Sequence, residues 1–254
     1  MMKPTFLNYS KPLLCAMIQA HTPEEALCQI ANAGYDGADA YGIHLELLGK
    51  EYRTVEKLRT IFRACGDKPI YITSYRGGQS ADYTDEQCAE LLLLGLEAGA
   101  TLCDIIGDLY CKDEFELTFD EEAVKKQKAL AAKIHEMGGE VLFSSHQKQF
   151  IDEEKVMEIA FAQKERGADV VKIVNHSQNR EMLLKNFEIC NRLKQELGCE
   201  FLYLANGNDC KLLRQIGPAL GCCMYLCIQH YLPVSHKVQP KLTAAKAIRD
   251  SMFN

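Results

Sequence analysis

No stretch of this 254-residue chain approaches the roughly 18 consecutive apolar residues that a membrane-spanning helix requires, so no membrane span is expected. The opening residues Met1-Met2-Lys3-Pro4-Thr5 lack the apolar core and small-residue cleavage site of a secretory leader, which predicts a cytoplasmic protein. No Cys-x-x-Cys pair occurs. The 12 cysteines are scattered, and Cys15, Cys103, Cys222, Cys223 and Cys227 lie inside apolar runs, as small buried hydrophobes do. Neither a zinc site nor a disulfide framework is expected from such a pattern, and the cysteine load fits a reducing setting. Positive charge is also scarce. The 29 Lys and Arg against 35 Asp and Glu give a formal charge of -6 with no basic stripe, which argues against a nucleic-acid partner. No linker, charge block or low-complexity segment divides the chain, so residues 1–254 are expected to form one domain.

What the chain does contain is a repeated pattern. Short apolar runs recur about every 30 residues, each followed by a segment of helical periodicity, as in βα units around a parallel sheet. The runs are Leu13-Ile18, Asp36-Tyr41, Pro69-Ser74, Leu102-Ile106, Glu140-Ser145, Asp169-Val174, Glu200-Leu204 and Cys222-Cys227. Thr22-Pro23-Glu24-Glu25 places a capping threonine before a first-turn proline, and Thr84-Asp85-Glu86-Gln87 is a capping box. Gly34, Gly99, Gly138 and Gly167 sit where the helices should stop. Eight such units predict a closed (β/α)8 TIM barrel, with an open doubly wound sheet as the alternative.

One residue contradicts its surroundings. In Gly167-Ala168-Asp169-Val170-Val171-Lys172-Ile173-Val174, Lys172 is flanked by branched aliphatic residues that belong in an interior. Burial disfavours an ammonium and favours a neutral amine able to attack a carbonyl, unless the run is an edge strand and the side chain reaches solvent. In a barrel the reactive groups belong at the C-terminal ends of strands. Polar residues expected there are Asp39, Tyr41, Thr73, Ser74, Tyr75, Arg76, Asp104, Asp108, His146, Lys172, Asn206, Asn208 and, on the following helix, Arg214. Period-two alternation on neighbouring strands would bring His146 and Lys172 to one face, pairing an acid/base with an imine-forming amine.

Phe143-Ser144-Ser145-His146 followed by Gly167-Ala168-Asp169-Val170-Val171-Lys172-Ile173 resembles type I 3-dehydroquinate dehydratase. Leu102-Cys103-Asp104-Ile105, Gly34 to Asp39, Lys68-Pro69-Ile70 and Gly217-Pro218-Ala219-Leu220-Gly221 agree in order and spacing with further segments of that family. Val234-Ser235-His236-Lys237-Val238-Gln239 matches its closing lid at Ser235 and Gln239. The resemblance implies a barrel without metal or other cofactor, usually dimeric, that eliminates water from a cyclic keto acid of the shikimate pathway, 3-dehydroquinate, through a lysine imine. It implies Lys172 as nucleophile, His146 as general acid/base, Arg214 as clamp for the substrate carboxylate, and Ser235 and Gln239 as lid contacts.

The departures are as specific as the matches. The substrate-touching glutamate and arginine of the family's second strand fall on Asp39 and Tyr41. Its Asp-x-Glu on strand four, whose glutamate supports the histidine, reads Asp104-Ile105-Ile106. The strand-three arginine falls on Tyr75, or on Arg76 after a shift of one residue. Asp39, Tyr41, Arg76 and Asp104 are therefore candidate substrate contacts. Retained imine machinery with an altered recognition shell leaves open an aldolase or dehydratase for another keto acid or keto sugar, a metabolite-binding pseudoenzyme, and a metal-dependent isomerase using Asp39, Asp104, Asp108 and His146.

Overall fold

The computed structural model describes residues 4–233, 235 and 237–253. Parallel strands β1 (Leu13–Ile18), β2 (Ala40–His44), β3 (Ile70–Thr73), β4 (Leu102–Ile106), β5 (Glu140–His146), β6 (Val170–His176), β7 (Glu200–Asn206) and β8 (Met224–Cys227) run in the order β7-β6-β5-β4-β3-β2-β1-β8. The Cys223 amide donates to the Phe201 carbonyl at 2.9 Å, a bond from just before β8 to β7, so the ring is nearly closed. Outside it lie α1 (Pro23–Tyr35), α2 (Val55–Arg63), α3 (Asp85–Ala98), α4 (Glu121–Glu136), α5 (Glu153–Glu165), α6 (Arg180–Glu196), α7 (Lys211–Ile216) and α8 (Leu242–Met252). This is the (β/α)8 barrel read from the sequence. Among the described residues no helix is long and apolar enough to cross a membrane.

Local chemistry sets the helix ends. Thr22 accepts from the Glu25 amide ahead of Pro23, and Thr84 and Gln87 form the capping box of α3. Asp120, Asp152 and Asn179 accept first-turn amides of α4, α5 and α6, satisfying donors that a helix start leaves without partners.

One strand is displaced from its expected position. Helix α1 does not stop at Gly34, where a β-carbon would come within 2.9 Å of the Tyr41 hydroxyl, and the chain turns at Gly37, whose φ of 92° suits a residue without a β-carbon. The strand can begin only after that turn, so β2 ends at His44 rather than Tyr41.

The correction removes two candidates from the barrel mouth. Asp39 lies before β2, at the N-terminal end of the barrel. Its carboxylate accepts from the Leu14 amide at 3.0 Å and from the Arg249 guanidinium of α8. Tyr41 is buried, its hydroxyl against α1 and its ring beneath the Lys68 ammonium. Both are structural. Counted from the observed strand end, the two substrate slots fall on Gly42 and His44. A β-carbon at Gly42 would lie 2.4 Å from Met17 Sδ and 2.9 Å from Tyr71 Cδ1, because those side chains fill the interior at that level.

Strand register assembles the interior of the mouth. Ser144 pairs with Lys172, Ile106 with Ser144, Thr73 with Asp104 and His44 with Thr73. Strand β6 lies between β5 and β7, so Lys172 is not on an edge.

Candidate active site

Lys172 is buried, with 4% of its surface exposed, yet its head is not among aliphatic side chains. Its Nζ donates to Asp104 Oδ2 at 3.0 Å, to Tyr75 Oη at 2.7 Å and to Tyr71 Oη at 3.0 Å. Asp104, candidate substrate contact on β4, is thus the lysine's ion-pair partner. It accepts in addition from Ser144 Oγ at 2.5 Å, Tyr75 Oη at 2.5 Å and the Tyr71 hydroxyl. Burial alone would raise the Asp104 carboxyl. The Lys172 ammonium and then the Ser144, Tyr71 and Tyr75 hydroxyls outweigh it and hold the group below its ordinary value, so it is ionised. Each charge compensates the other, a condition for burying either.

His146 ends β5 at the same mouth. The strand-four position that should support it holds Ile106, and the support comes from elsewhere. Glu116, in the segment between β4 and α4, accepts through one oxygen, Oε2, from the His146 backbone amide at 2.7 Å and lies 2.8 Å from Nδ1. A carboxylate only accepts, so this contact favours a proton on Nδ1, and in the neutral imidazole Nε2 then carries the lone pair of a base. Glu116 is held in place by its backbone. Its carbonyl accepts from Ser145 Oγ at 2.7 Å, and Phe115 O accepts from Gln147 Nε2 at 2.7 Å. A β-carbon on Gly107 would approach the Glu116 carbonyl to 2.4 Å, so a glycine there permits the approach. Glu116→Gln should lower kcat about 10- to 100-fold with KM little changed, a part of the roughly 10²–10⁴ that a positioned acid/base contributes. A carboxamide can offer its NH2 to Nδ1 and select the tautomer that lacks a lone pair at Nε2. Steady-state kinetics alongside Glu116→Asp, which keeps the carboxylate, checks this.

Arg214, on α7, is buried, and its Nε and Nη2 donate to Ala205 O and Asn206 Oδ1, each at 2.7 Å, at the C-terminal end of β7. Burial pulls its guanidinium down to about 10, opposed by Cys210, and no carboxylate among the described residues pairs with it. Such a cation is an anion site in waiting. Ser235 Oγ donates to Gln19 Oε1 at 2.7 Å just past β1, and Gln239 Oε1 is buried with no hydrogen-bond partner among the described residues. Val234 and His236 of the lid motif lie outside the described residues.

Arg76 does not point at the lysine. Its fork is taken by Asp85 and Asp108, with Nε and Nη1 each 2.6 Å from a carboxylate oxygen, and Tyr75 occupies the position beside Lys172. Arg76 as a substrate contact is therefore corrected to a brace between the segments after β3 and β4. The ligand set of a metal isomerase does not form either. Asp39 lies at the opposite end of the barrel, Asp108 faces Arg76, and no metal-holding cluster of His, Cys, Asp and Glu occurs among the described residues.

Sequence reasoning missed Glu116 and a second histidine–carboxylate pair. His44 Nδ1 lies 2.7 Å from Glu46 Oε1, and Thr73 Oγ1 donates to Glu46 Oε2 at 2.8 Å. Burial would raise Glu46, but the nearby His44 and its hydrogen bonds hold the carboxyl down. A strand end placed three residues later would have exposed this pair. For Glu116 the signal was the unmet need of His146 for a carboxylate.

A buried lysine paired with a carboxylate, a histidine held by a second carboxylate and a guanidinium with no carboxylate partner among the described residues, all at one end of a (β/α)8 barrel, define an enzyme equipped for lysine-imine chemistry. The model of the type I 3-dehydroquinase family matches residues 14–230, and the chain belongs to that family. It is a hydro-lyase, 3-dehydroquinate dehydratase-like, in a family that works through a Schiff base. Its fold is similar to that of 3-dehydroquinate dehydratase from Geobacillus kaustophilus, at 14% identity and TM-score 0.81, over 95% of this chain and 91% of that one. The Enterococcus faecalis enzyme gives 15% and 0.78 over 98% of each chain. The type I enzyme from Clostridium difficile, solved with covalently modified comenic acid, gives 16% and 0.78 over 96% and 93%. No curated protein sequence matches the chain closely enough to count as a relative.

Proposed function

We propose that this chain dehydrates 3-dehydroquinate to 3-dehydroshikimate through an imine on Lys172. Arg214 receives the substrate carboxylate as a bidentate partner, and Ser235 and Gln239 close over it from the segment after β8. The Lys172 amine adds to the ketone, and loss of water leaves an iminium cation where the ammonium stood, opposite the Asp104 carboxylate. His146 Nε2 then removes the proton from the carbon beside the iminium, the electron pair passing into an enamine. The enamine expels the β-hydroxyl, which leaves as water with the proton now on the imidazolium. Hydrolysis of the conjugated iminium releases product and restores the amine.

The observation that carries this reading is the buried Lys172–Asp104 pair, placed at the mouth with His146 and Arg214. Family membership supports it, and so does the covalently modified ligand of the C. difficile relative. The family's biosynthetic role supports action in the cytoplasm, and the usual dimeric state of its members supports a homodimer. In the test, the protein is mixed with 3-dehydroquinate, the conjugated product is followed by its ultraviolet absorbance, and a parallel sample is reduced with borohydride and weighed. Turnover with a stable adduct on Lys172 is expected. No turnover and no adduct would sink the assignment.

A second reading keeps the imine and changes the keto acid. It is favoured by Arg76 being occupied by Asp85 and Asp108 while Tyr75 and His44 stand where substrate-touching arginines are expected, so fewer cations face a polyhydroxylated carboxylate. An adduct with a different keto acid, and none with 3-dehydroquinate, would select it.

A further inference from the structure

The steps above make no use of Tyr75, although its phenol makes the shortest contact to the nucleophile. We propose that Tyr75, backed by Asp104, is the catalytic acid/base that makes and breaks the imine, leaving His146 and Glu116 to move the carbon-bound proton. The proposal rests on the lysine-imine reading and divides its proton transfers between two sets of groups.

Three observations carry it. First, no hydrogen bond joins His146 to Lys172 among the described residues. The Tyr75 ring meets His146 edge-on, with centroids 5.4 Å apart and planes at 84°, while its hydroxyl lies 2.7 Å from Nζ. The phenol, not the imidazole, touches the atom that must lose and regain protons. Second, the same hydroxyl lies 2.5 Å from Asp104 Oδ2, so ammonium, phenol and carboxylate form a continuous chain of proton donors and acceptors. Third, Tyr71 contacts the same two groups but is completely buried, whereas Tyr75 follows the end of β3 and is only half-buried. Of the two phenols, Tyr75 is on the side from which a ketone arrives. Burial first, and Asp104 second, raise its phenol well above the ordinary value, so the O–H is retained for donation.

The protons balance without another reactant. The Lys172 ammonium passes one proton through Tyr75 to Asp104, and the freed amine pair forms the C–N bond as the carbonyl pair moves to oxygen. A second proton moves from nitrogen to that oxygen and gives the carbinolamine. Tyr75 then donates its hydroxyl proton to the carbinolamine oxygen and is reprotonated by Asp104. The C–O bond breaks, water leaves and the nitrogen pair forms the iminium. Lysine has lost two protons to the departing water, Asp104 is again a carboxylate, and it faces the new cation.

The test is rapid mixing of the intact protein with 3-dehydroquinate followed by borohydride at set times and mass measurement. Tyr75→Phe keeps the ring against His146 and should slow adduct formation about 10²- to 10³-fold. His146→Ala should leave adduct formation fast, and Tyr71→Phe should change it only a few-fold. Because Tyr75→Phe takes a hydrogen bond from a buried carboxylate, a second variant carries 3-fluorotyrosine at position 75. It has nearly the same shape and a more acidic phenol, so the alkaline limb of the trapping rate should move to lower pH, a response that a purely structural role would not produce. Wild-type trapping rates in Tyr75→Phe, or an unmoved limb in the fluorinated protein, would overturn the proposal and leave the imine reading standing. A wild-type protein that forms no adduct would overturn both.

Discussion

Lys172→Met should abolish turnover, with a loss of at least about 10⁴-fold, and remove the borohydride adduct, since no other lysine among the described residues is buried in the barrel. The same change should also unsettle the fold. It leaves Asp104, wholly buried, facing an apolar side chain, and a buried ion left without its partner costs about 3–5 kcal/mol. The sign with pH follows from Asp104. In the wild type its carboxyl is held below the ordinary value, so the stability it contributes is present above its unfolded pKa, about 3.9, and is lost as pH falls through the lower folded value. In Lys172→Met the cation that opposed burial is gone and the folded pKa rises above the unfolded one. The penalty is then full at neutral pH and shrinks as pH falls and the carboxyl protonates. Denaturant unfolding should show a larger deficit at pH 7 than at pH 5. Lys172→Met combined with Asp104→Asn should be more stable at pH 7 than Lys172→Met alone, because an amide carries no charge to desolvate. If the second change restores nothing, Asp104 is not what the single variant leaves stranded.

This pairing also shows where sequence reasoning stopped. The lysine was legible because a charge among branched aliphatic residues violates a local rule, and β1 and β4 were legible to the residue because their runs are bounded by Pro12 and Gln19 and by Thr101 and Gly107. The compensation was not legible. Asp104 was visible as an inward residue, but a substrate contact and an ion-pair partner look alike until the lysine's reach across the barrel is known, from β6 to β4. Strand β2 was misplaced because Ala38 and Tyr41 look like strand interior, while the turn at Gly37 that delays the strand is a matter of backbone angle. That shift of three residues put Asp39 and Tyr41 in the site and hid His44 and Glu46. Arg76 was ambiguous because one residue of register decides between the barrel axis and the helix side, and Asp85 and Asp108 draw it to the latter. Glu116 sits 30 positions from His146, in a segment with no motif. Its role follows from a non-local approach past Gly107.

His146→Ala should separate the two halves of the reaction. If the imidazole acts on the carbon-bound proton and Tyr75 serves the nitrogen, this variant still forms the iminium but converts it slowly, with kcat lowered about 10²- to 10⁴-fold. Borohydride should then trap more protein than in the wild type. The adduct should have the mass of the reduced substrate imine, one water heavier than that of the dehydrated product. Exchange of the substrate's α-hydrogen with solvent deuterium should be lost as well, because its removal is the step denied. The link to Glu116 gives a further check. A carboxylate that acts only by fixing the imidazole has nothing to fix once the ring is gone, so His146→Ala with Glu116→Gln should be no slower than His146→Ala alone. Additive losses would mean that Glu116 meets the substrate itself. A His146→Ala protein that traps no adduct would put imine formation back on the histidine and leave Tyr75 as a spacer between ring and amine.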